Sequence, residues 1–586
     1  MSSFTFYFST RFNFDSIEGF HLLQDHIGTS YSLPWNDYDY VVTFQVYRIS
    51  EGRRDFFGRT KILVNGFQDT SQYFKTGDVV TDGSTNISSL LDPSKVVSLA
   101  SDIEYYRRLR KELGNQASQF LAAICDASYY YGQSSQFTKW PGFSSSLFRD
   151  GVGKALLKKG HQVAKGSYTP EKRFTLEVSG LEDNFDAVKF YFDNSRELGS
   201  TNINLLIGKN GSGKSHILRK ISDQLTGISQ LADSSPYFHK VVVAAYSPFE
   251  SFKTESQVYD ALSPPSTEET GHAMGNSEMD SQARMERRRL LVNEYAYIGF
   301  KNPDGKFSLD WPKESSAYAL IKILAYDREN IWWGADSRFK LLFDTLRQSI
   351  DFDALALVSV DGRHTEFALE DIEARKNFDS ETAKIKHSHG IQFLKNNSNG
   401  VSSSVSLSSG QTIYSYLLPC LVAEVDDESL LILDEPELYL HPAMEVGLIN
   451  MLKKLLTATK SNSIIASHSS ILAREVERKG IFVLRREDQG TTVSNPTFET
   501  FGQSIEMIMG ETFDDYDAKK AYENSLDAVL KKYDSPKSAL NALADHVGDE
   551  ALVYLASKVD EGEIVLVDRP EGSPDLRPSG GGEKQV

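Results

Sequence analysis

The sequence is poor in cysteine and in long apolar runs. Cys125 and Cys420 are the only cysteines among 586 residues, which excludes a disulfide framework and a zinc site built from cysteines. The longest mainly apolar stretch, residues 413–423, is broken by Ser415 and Pro419 and is too short to cross a bilayer. We therefore expect no transmembrane helix and no membrane partner.

Basic charge is also scarce, and the chain does not start like a targeting signal. The formal net charge of −18 argues against a protein that coats nucleic acid indiscriminately. Residues 1–6 have neither the basic start nor the apolar core of a signal peptide, which together with the few cysteines predicts a cytoplasmic protein. Basic residues do cluster at 107–111. A solvated helix face is the favoured interpretation of this cluster, and a phosphate-binding groove is the alternative.

What is present is the composition of an ordinary globular protein, with 40% apolar and 25% charged residues, in a chain too long for one hydrophobic core. Pattern changes predict an N-terminal α/β domain of unknown role at residues 1–170 and a second α/β domain at 171–500. A helical region at 501–569 and a disordered tail at 570–586 are predicted to follow.

Apolar periodicity predicts the main elements within these domains. A long helix is expected over residues 102–131, and helices over 315–378 within a helical insertion at about 255–400. The stretch 254–284, rich in Ser, Glu, Pro and Gly, predicts a mobile loop. Buried strands are expected at 203–207, 240–246, 429–434, 463–467 and 480–486, alternating with helices as in a parallel α/β sheet.

A glycine-rich loop follows the first of these buried strands and fits the Walker A pattern G-x-x-x-x-G-K-[ST] in full. Its residues are Gly208, Lys209, Asn210, Gly211, Ser212, Gly213, Lys214 and Ser215. The glycines let backbone N–H groups turn toward phosphates beside a helix N-terminus. Lys214 is expected to reach the β- and γ-phosphates, and the Ser215 hydroxyl to bind Mg²⁺. This loop predicts ATP and Mg²⁺ as ligands.

A buried strand, residues 430–435, ends in two acids in the manner of a Walker B motif. Such a strand delivers a carboxylate to the carboxyl edge of a parallel sheet, where ligands bind. Asp434 is expected to hold Mg²⁺, and Glu435 to orient or deprotonate the attacking water. A solvated strand end is the plain alternative, which the preceding Walker A loop disfavours.

Between these motifs lies Leu407-Ser-Ser-Gly-Gln411, which resembles the ABC signature usually written LSGGQ. Ser409 replaces the usual glycine at the third position. A chance match in a serine-rich loop is the alternative, but the order Walker A, signature, Walker B favours function. The resemblance implies that this segment binds the γ-phosphate held by a partner subunit. The residues it assigns to that role are Ser408, Ser409, Gly410 and Gln411.

His468 follows a predicted strand at the position where ABC-type ATPases keep a histidine that senses the γ-phosphate. An ordinary strand-end histidine is the alternative interpretation. A Q-loop glutamine is not evident, because residues 247–250 contain none and the nearest is Gln257. That role stays open.

The string Asp434-Glu-Pro-Glu-Leu-Tyr-Leu-His-Pro442 resembles the DEPExxLHP element of soluble ABC-type ATPases. These include the OLD proteins, the SMC-like repair ATPases and the PtuA ATPase of Septu and retron-linked phage-defence systems. The segment between Lys214 and Leu407 is too short for an SMC coiled coil. The segment after Val493 is too short for the Toprim nuclease of OLD proteins. The chain therefore resembles PtuA most, with an ABC-type P-loop ATPase head of mixed sheet and flanking helices.

This resemblance implies an ATP-hydrolysing homodimer that closes head to head around two nucleotides and acts as a sensor in bacterial antiphage defence. It would control a partner effector, such as a nuclease, and nucleic acid is a possible component. A DNA repair or replication accessory ATPase stimulated by DNA is the alternative function. The nucleotide-binding subunit of a transporter is disfavoured by the element after Walker B.

Overall fold

The computed structural model describes most of the chain. The described residues are 4–12, 14–28, 34, 39–81, 83–131, 136–147, 151–178, 180–182, 184–195, 202–229, 236, 238–262, 294–330, 337–396, 402–487, 490–512 and 520–559. Most of the predicted mobile loop and all of the predicted tail lie outside these residues. The chain divides into compact units at residues 1–508 and 509–586. Among the described residues, no helix is both long and apolar enough to cross a bilayer.

The described residues form 20 β-strands. They are β1 Phe6–Ser9, β2 Gly19–Gln24, β3 Thr43–Ser50, β4 Arg53–Val64, β5 Asp78–Thr81, β6 Ser84–Asn86, β7 Val96–Ala100, β8 Arg173–Val178, β9 Val188–Asp193, β10 Ile203–Gly208, β11 Lys240–Ala245, β12 Glu294–Gly299, β13 Ala354–Val358, β14 His364–Ala368, β15 Gln392–Asn396, β16 Ser402–Ser404, β17 Leu430–Asp434, β18 Asn462–Ser467, β19 Ile481–Glu487 and β20 Gly490–Ser494.

The described residues also form 18 α-helices. They are α1 Thr70–Phe74, α2 Ile103–Leu113, α3 Ala117–Ala123, α4 Ala127–Tyr130, α5 Gly151–Lys165, α6 Lys214–Leu225, α7 Glu255–Leu262, α8 Trp311–Asn330, α9 Arg338–Arg347, α10 Ile372–Asn377, α11 Ser380–Ala383, α12 Ser409–Glu424, α13 Pro442–Ala458, α14 Ser470–Arg474, α15 Ile505–Thr512, α16 Ala521–Leu530, α17 Pro536–Leu543 and α18 Asp549–Ser557.

The N-terminal part of unit 1 is a mixed sheet covered by helices. Its strand order is β5-β6-β1-β2-β3-β4-β7, with β1 and β2 parallel and the other pairs antiparallel. Large aromatic residues fill the core between this sheet and the helices, and the rings of Phe20 and Phe120 lie 4.6 Å apart. Burial of such rings is the main stabilising contribution to this part of the chain.

The single long helix predicted over 102–131 is wrong: the segment forms α2, α3 and α4. Gly114 ends α2 with φ +53°, and Cys125 takes φ +60° just before α4. Asp126 then caps α4 by accepting from the backbone N–H of Ser128 at 2.9 Å. Apolar spacing continues across these breaks because all three helices bury one face against the same core.

Asp126 gives a test of this core through pH. Burial raises the pKa of this carboxyl to about 6, against the hydrogen bonds from Ser128 and Tyr106 that lower it. The folded protein therefore binds a proton more tightly than the unfolded chain, and this group's contribution to stability is lost as pH rises from about 4 to 6. We expect the free energy of unfolding of Asp126→Asn, relative to wild type, to increase by about 2–3 kcal/mol between pH 4.2 and 7.0. Urea unfolding at the two pH values measures this; an equal difference at both would contradict it.

The second part of unit 1 is built on a largely parallel sheet. Its strand order is β12-β11-β17-β18-β10-β19-β20, and only β20 pairs antiparallel. Strands β10, β11, β17 and β18 are buried at every position, as strands of a parallel sheet covered on both faces are. The carboxyl ends of β10, β17 and β18 lie at one edge, so the α/β class predicted from the sequence is confirmed.

Smaller sheets flank this core, and one corrects the predicted helical insertion. Strands β8 and β9 pair antiparallel. Residues 354–358 and 364–368, predicted to be helical, are β13 and β14 of an antiparallel sheet ordered β14-β13-β15-β16. The run Ala354–Val358 is short and wholly buried, and periodicity alone cannot distinguish such a run from a buried helix.

An acidic connector, residues 424–428, joins α12 to β17 and is bound from several sides. Lys240 lies 2.8 Å from Glu424; burial raises the pKa of Glu424, but Lys240 and Lys322 outweigh it and hold the pKa at about 2. Glu428 accepts from Tyr168 at 2.6 Å and pairs with Lys159 at 3.2 Å. The chain before β8 is thus tied to the amino end of the strand that carries Asp434.

Arg107, from the basic cluster on α2, pairs with Asp427 of the same connector at 3.5 Å. It also pairs with Glu104 at 2.6 Å. At least this member of the cluster is therefore engaged within the protein.

Unit 2 contains short helices around a core of its own. The helices α16, α17 and α18 pack on Leu526, Leu540 and Leu555, which are buried. The helices predicted for this region are present, with their ends set by caps such as Ser535 before α17.

Candidate nucleotide site

The glycine loop leaves β10 in a backbone conformation that needs glycine. Gly211 and Gly213 have φ of +80° and +102°, a region that side chains with a Cβ rarely adopt. A Cβ on Gly208 would lie 2.5 Å from the Leu484 carbonyl oxygen, so this residue is required for close passage beside β19. Helix α6 begins at Lys214, directly after the turn. The loop therefore presents a helix N-terminus to the edge of the sheet.

Lys214 is only 4% exposed and lies at the centre of the site. Its Nζ donates to the Gly208 carbonyl at 2.9 Å and lies 2.7 Å from Nε2 of His468. Burial lowers the pKa of Lys214, and the nearby carboxylate of Glu435 acts in the opposite direction. The structure thus brings the Walker A lysine and the predicted sensor histidine into direct contact.

Ser215 and Asp434 meet across the strand ends. The Ser215 hydroxyl donates to Oδ1 of Asp434 at 2.9 Å. Burial raises the pKa of Asp434 to about 6, while the bond from Ser215 lowers it. The Ser212 hydroxyl is buried and has no hydrogen-bond partner within the described chain. A hydroxyl and a carboxylate side by side are the oxygen ligands that Mg²⁺ takes next to phosphates, so these residues fit that ion.

Glu435 turns away from β17 in a left-handed conformation with φ +49°. Its backbone N–H donates to the Ala466 carbonyl at 2.9 Å, and its Oε1 lies 3.3 Å from Nε2 of His468. The hydrogen bond with His468 lowers the pKa of Glu435, although burial opposes it. One imidazole nitrogen therefore faces both Lys214 and Glu435. It can accept a hydrogen bond from the lysine or, when protonated, donate to the carboxylate, but it cannot do both at once.

The signature segment lies apart from these residues. The Ser408 side chain caps α12 in a capping box with Gln411, and Nε2 of Gln411 donates to the Ser349 carbonyl at 2.6 Å. A Cβ on Gly410 would lie 2.7 Å from the Tyr439 carbonyl, so this position packs against the loop after Walker B. Ser408 and Ser409 are exposed. The structure brings together Walker A, Walker B and His468, and leaves the signature on the surface.

A cleft of about 430 Å³ opens over the phosphate loop, and part of its wall was not predicted. Besides the motif residues it is lined by His216, Arg219, Ser247 and residues 249–252. Glu250 occupies the segment where the Q-loop was expected; it pairs with Lys301 at 2.9 Å and accepts from Tyr297 at 2.7 Å. Gln257 instead accepts from the backbone N–H of Thr254. The sequence signal that could have identified Glu250 is an acidic residue placed shortly after the end of β11.

A second cleft, of about 390 Å³, lies on the other side of the glycine loop. Phe185 lines it with His216, and their ring centroids are 5.9 Å apart. Arg486, from β19, donates to the Gly211 carbonyl at 3.2 Å and closes one end. Flat rings beside a phosphate cradle suit the stacking of a nucleobase. Phe185 is far from the loop in sequence and carries no local motif, so sequence reasoning missed it.

A buried parallel sheet whose strand ends carry a phosphate loop, a hydroxyl–carboxylate pair and a second acid defines a P-loop ATPase domain. Residues 284–474 match the family model described as "AAA domain, putative AbiEii toxin, Type IV TA system". This match covers less than half of the chain and starts after the Walker A loop.

A relative over nearly the whole chain comes from a virus of bacteria. Protein ea59 of Escherichia phage lambda is 24% identical over 567 residues, which span 90% of this chain and 95% of the relative. Among solved structures, an SMC head bound to the C-winged helix domain of ScpA has a TM-score of 0.28 at 14% identity, covering 56% of this chain and 98% of that one. The SMC head domain from Thermotoga maritima has a TM-score of 0.25 at 13% identity, covering 56% of this chain and 100% of that one.

Proposed function

We propose that this protein is an ATP-hydrolysing homodimer that acts as a nucleotide-dependent regulator of a partner effector in conflict between phages and bacteria. The observation that carries the catalytic part is the contact of Lys214, Glu435 and His468 in one cleft, beside the pair Ser215 and Asp434. The fold supports assignment of this domain to the P-loop ATPases. We propose in addition that the protein hydrolyses ATP, forms a dimer and controls an effector.

The site residues divide the work of hydrolysis between them. Bound Mg²⁺ would neutralise charge on the β- and γ-phosphate oxygens. The backbone N–H groups of the glycine loop and the ammonium of Lys214 would bind the phosphates. Glu435, whose carboxylate faces the cleft, would orient the attacking water and accept its proton. With Lys214 engaged by phosphate, Nε2 of His468 would hydrogen-bond to Glu435 or to the γ-phosphate instead.

The exposed signature supports the proposed dimer. Ser408 and the start of α12 present backbone N–H groups at a helix N-terminus on the surface rather than in the cleft of the same subunit. Phe249, at the cleft rim, is 94% exposed, as a residue that another subunit covers would be. A second copy placed head to head would complete each cleft with the signature of the other.

The proposed biological setting rests on the comparisons. Protein ea59 is a phage protein, and the matching family description names a putative toxin of a type IV toxin–antitoxin system. Both support a role in antiphage defence or in growth control, with an effector such as a nuclease.

A DNA accessory ATPase is the competing proposal. Hydrolysis that rises several-fold with linear DNA would favour it, whereas a nuclease co-purifying with the native protein would favour the effector.

Substitution of Ser408 tests the dimer directly. Ser408→Arg places a bulky cation at the surface where the second subunit would dock, so we expect a monomer in ATP and a loss of hydrolysis of at least about 30-fold. Affinity for a fluorescent ATP analogue should stay within about threefold, because the phosphate loop is untouched. Ser408→Ala is the comparison variant: it removes the cap, worth about 1 kcal/mol, and the hydroxyl assigned to the γ-phosphate, but it adds no bulk, so the dimer should persist in ATP and hydrolysis should fall less than in Ser408→Arg. Light scattering that finds a dimer of Ser408→Arg with full activity would refute the proposed interface.

A further inference from the structure

The loop that leaves Walker B returns to the strand end that carries His468. Glu437, three residues after Asp434, accepts from the backbone N–H of His468 at 2.6 Å and from the Ser467 hydroxyl at 2.8 Å, both through Oε1. A carboxylate that accepts a backbone N–H fixes the position of that peptide more firmly than a neutral acceptor does. The peptide that precedes the His468 Cα is therefore held by a side chain from another strand end.

The conformation of residues 435–440 shows that this loop is held tightly in place. Glu435 and Tyr439 both have positive φ, +49° and +75°, which costs free energy for residues with a Cβ. The Leu440 N–H closes a turn on the Glu437 carbonyl at 2.8 Å. The Tyr439 carbonyl abuts Gly410 at the start of α12. One short loop thus contacts both the signature segment and the strand end of the histidine.

Within the described residues, the second carboxylate oxygen of Glu437 makes no hydrogen bond that would stabilise the fold. Oε2 is buried and without a hydrogen-bond partner in the described part of the chain. Burial raises the pKa of Glu437, although its bonds to His468 and Ser467 lower it. A buried carboxylate with one oxygen unsatisfied costs stability, and such costs concentrate at functional sites.

We propose that Glu437 is a positioning residue that fixes the backbone of His468 and thereby the place of its ring nitrogen in the cleft. The inference rests on the proposed ATPase function and adds a residue that acts through the histidine. Without the Glu437 acceptor the peptide N–H of His468 loses its partner, and Nε2 no longer stays between Lys214 and Glu435. The phosphate loop keeps its own contacts, so binding of ATP is unaffected.

The test compares substitutions of Glu437 with those of a second carboxylate on the same segment. Glu437→Ala is expected to lower kcat for ATP by about 10–50-fold and to leave KM within about threefold. Glu437→Gln keeps Oε1 as an acceptor and should retain kcat within about threefold. Glu445 accepts from Ser469, the residue after the histidine, and so provides the matched control. Glu445→Ala should keep kcat within about threefold, because it does not hold His468.

A double-substitution cycle separates positioning from general damage. In the His468→Ala background, Glu437→Ala should have no further effect on kcat, since both changes remove the same function. An equal additional loss in that background, or an equal loss in Glu445→Ala, would overturn the inference. Wild-type protein without ATPase activity would overturn the proposed function and the inference together, whereas active wild type and fully active Glu437→Ala would overturn the inference alone.

Discussion

Glu435→Gln is expected to stop hydrolysis and to trap the protein as a dimer with ATP bound. Glutamine keeps the shape of the side chain but cannot accept the proton of the attacking water, and loss of a general base lowers rates by about 100-fold or more. It also removes a negative charge from beside the γ-phosphate, which favours the closed state. Light scattering in ATP and Mg²⁺ should give twice the chain mass of 65.6 kDa, and in ADP a single chain.

The matched control for this variant is Glu177→Gln, which neutralises a half-exposed carboxylate of β8 paired with Lys189. That change should leave both the mass and the rate as in wild type. Glu435→Gln that stays monomeric in saturating ATP, or that hydrolyses ATP at the wild-type rate, would contradict the assigned roles of this acid and of the dimer.

Lys214→Ala is expected to raise the dissociation constant for ATP by about 100-fold. The ammonium supplies charge-assisted hydrogen bonds to the phosphates, each worth about 1.5–3 kcal/mol, and about 1.4 kcal/mol corresponds to a factor of ten. Its removal also leaves Asp434 and Glu435 without the nearby positive charge, so that they repel the triphosphate. Titration of a fluorescent ATP analogue at fixed Mg²⁺ measures the change.

Lys189→Ala serves as its control, since Lys189 is an exposed lysine of β9 that pairs with Glu177. It should bind nucleotide as wild type does. An unchanged affinity of Lys214→Ala would refute the assignment of the phosphate cradle, whatever the effect on hydrolysis.

The parts of the fold and site that could be predicted from sequence are those with local causes. The glycine loop, the strand ending in Asp434 and the strand before His468 can each be recognised from fewer than ten residues, because glycine turns and short buried apolar runs have strict local requirements. Since such strands alternate with helices, the parallel sheet and the meeting of its carboxyl ends also followed.

The parts that could not be predicted depend on packing between distant segments. Nothing local distinguishes the buried strand at 354–358 from a helix, and the breaks at Gly114 and Cys125 are hidden by apolar spacing that continues through them. Glu437 was visible as a letter in the motif, but its bond to the peptide of His468 exists only once β17 and β18 pair. Phe185 joins the cleft through the β8–β9 hairpin in the same way.

The acidic connector between α12 and β17 joins the strand that carries Asp434 to residues far from the phosphate loop. Its first residue, Glu424, forms ion pairs with Lys240 and Lys322. Its last residue, Glu428, pairs with Lys159 and accepts a hydrogen bond from Tyr168, both in the N-terminal part of the chain. Any movement of α12 when a second subunit docks would therefore either carry the N-terminal sheet with it or break these ion pairs. In either case the surface of the first 170 residues would change when ATP binds, and an effector could recognise that change.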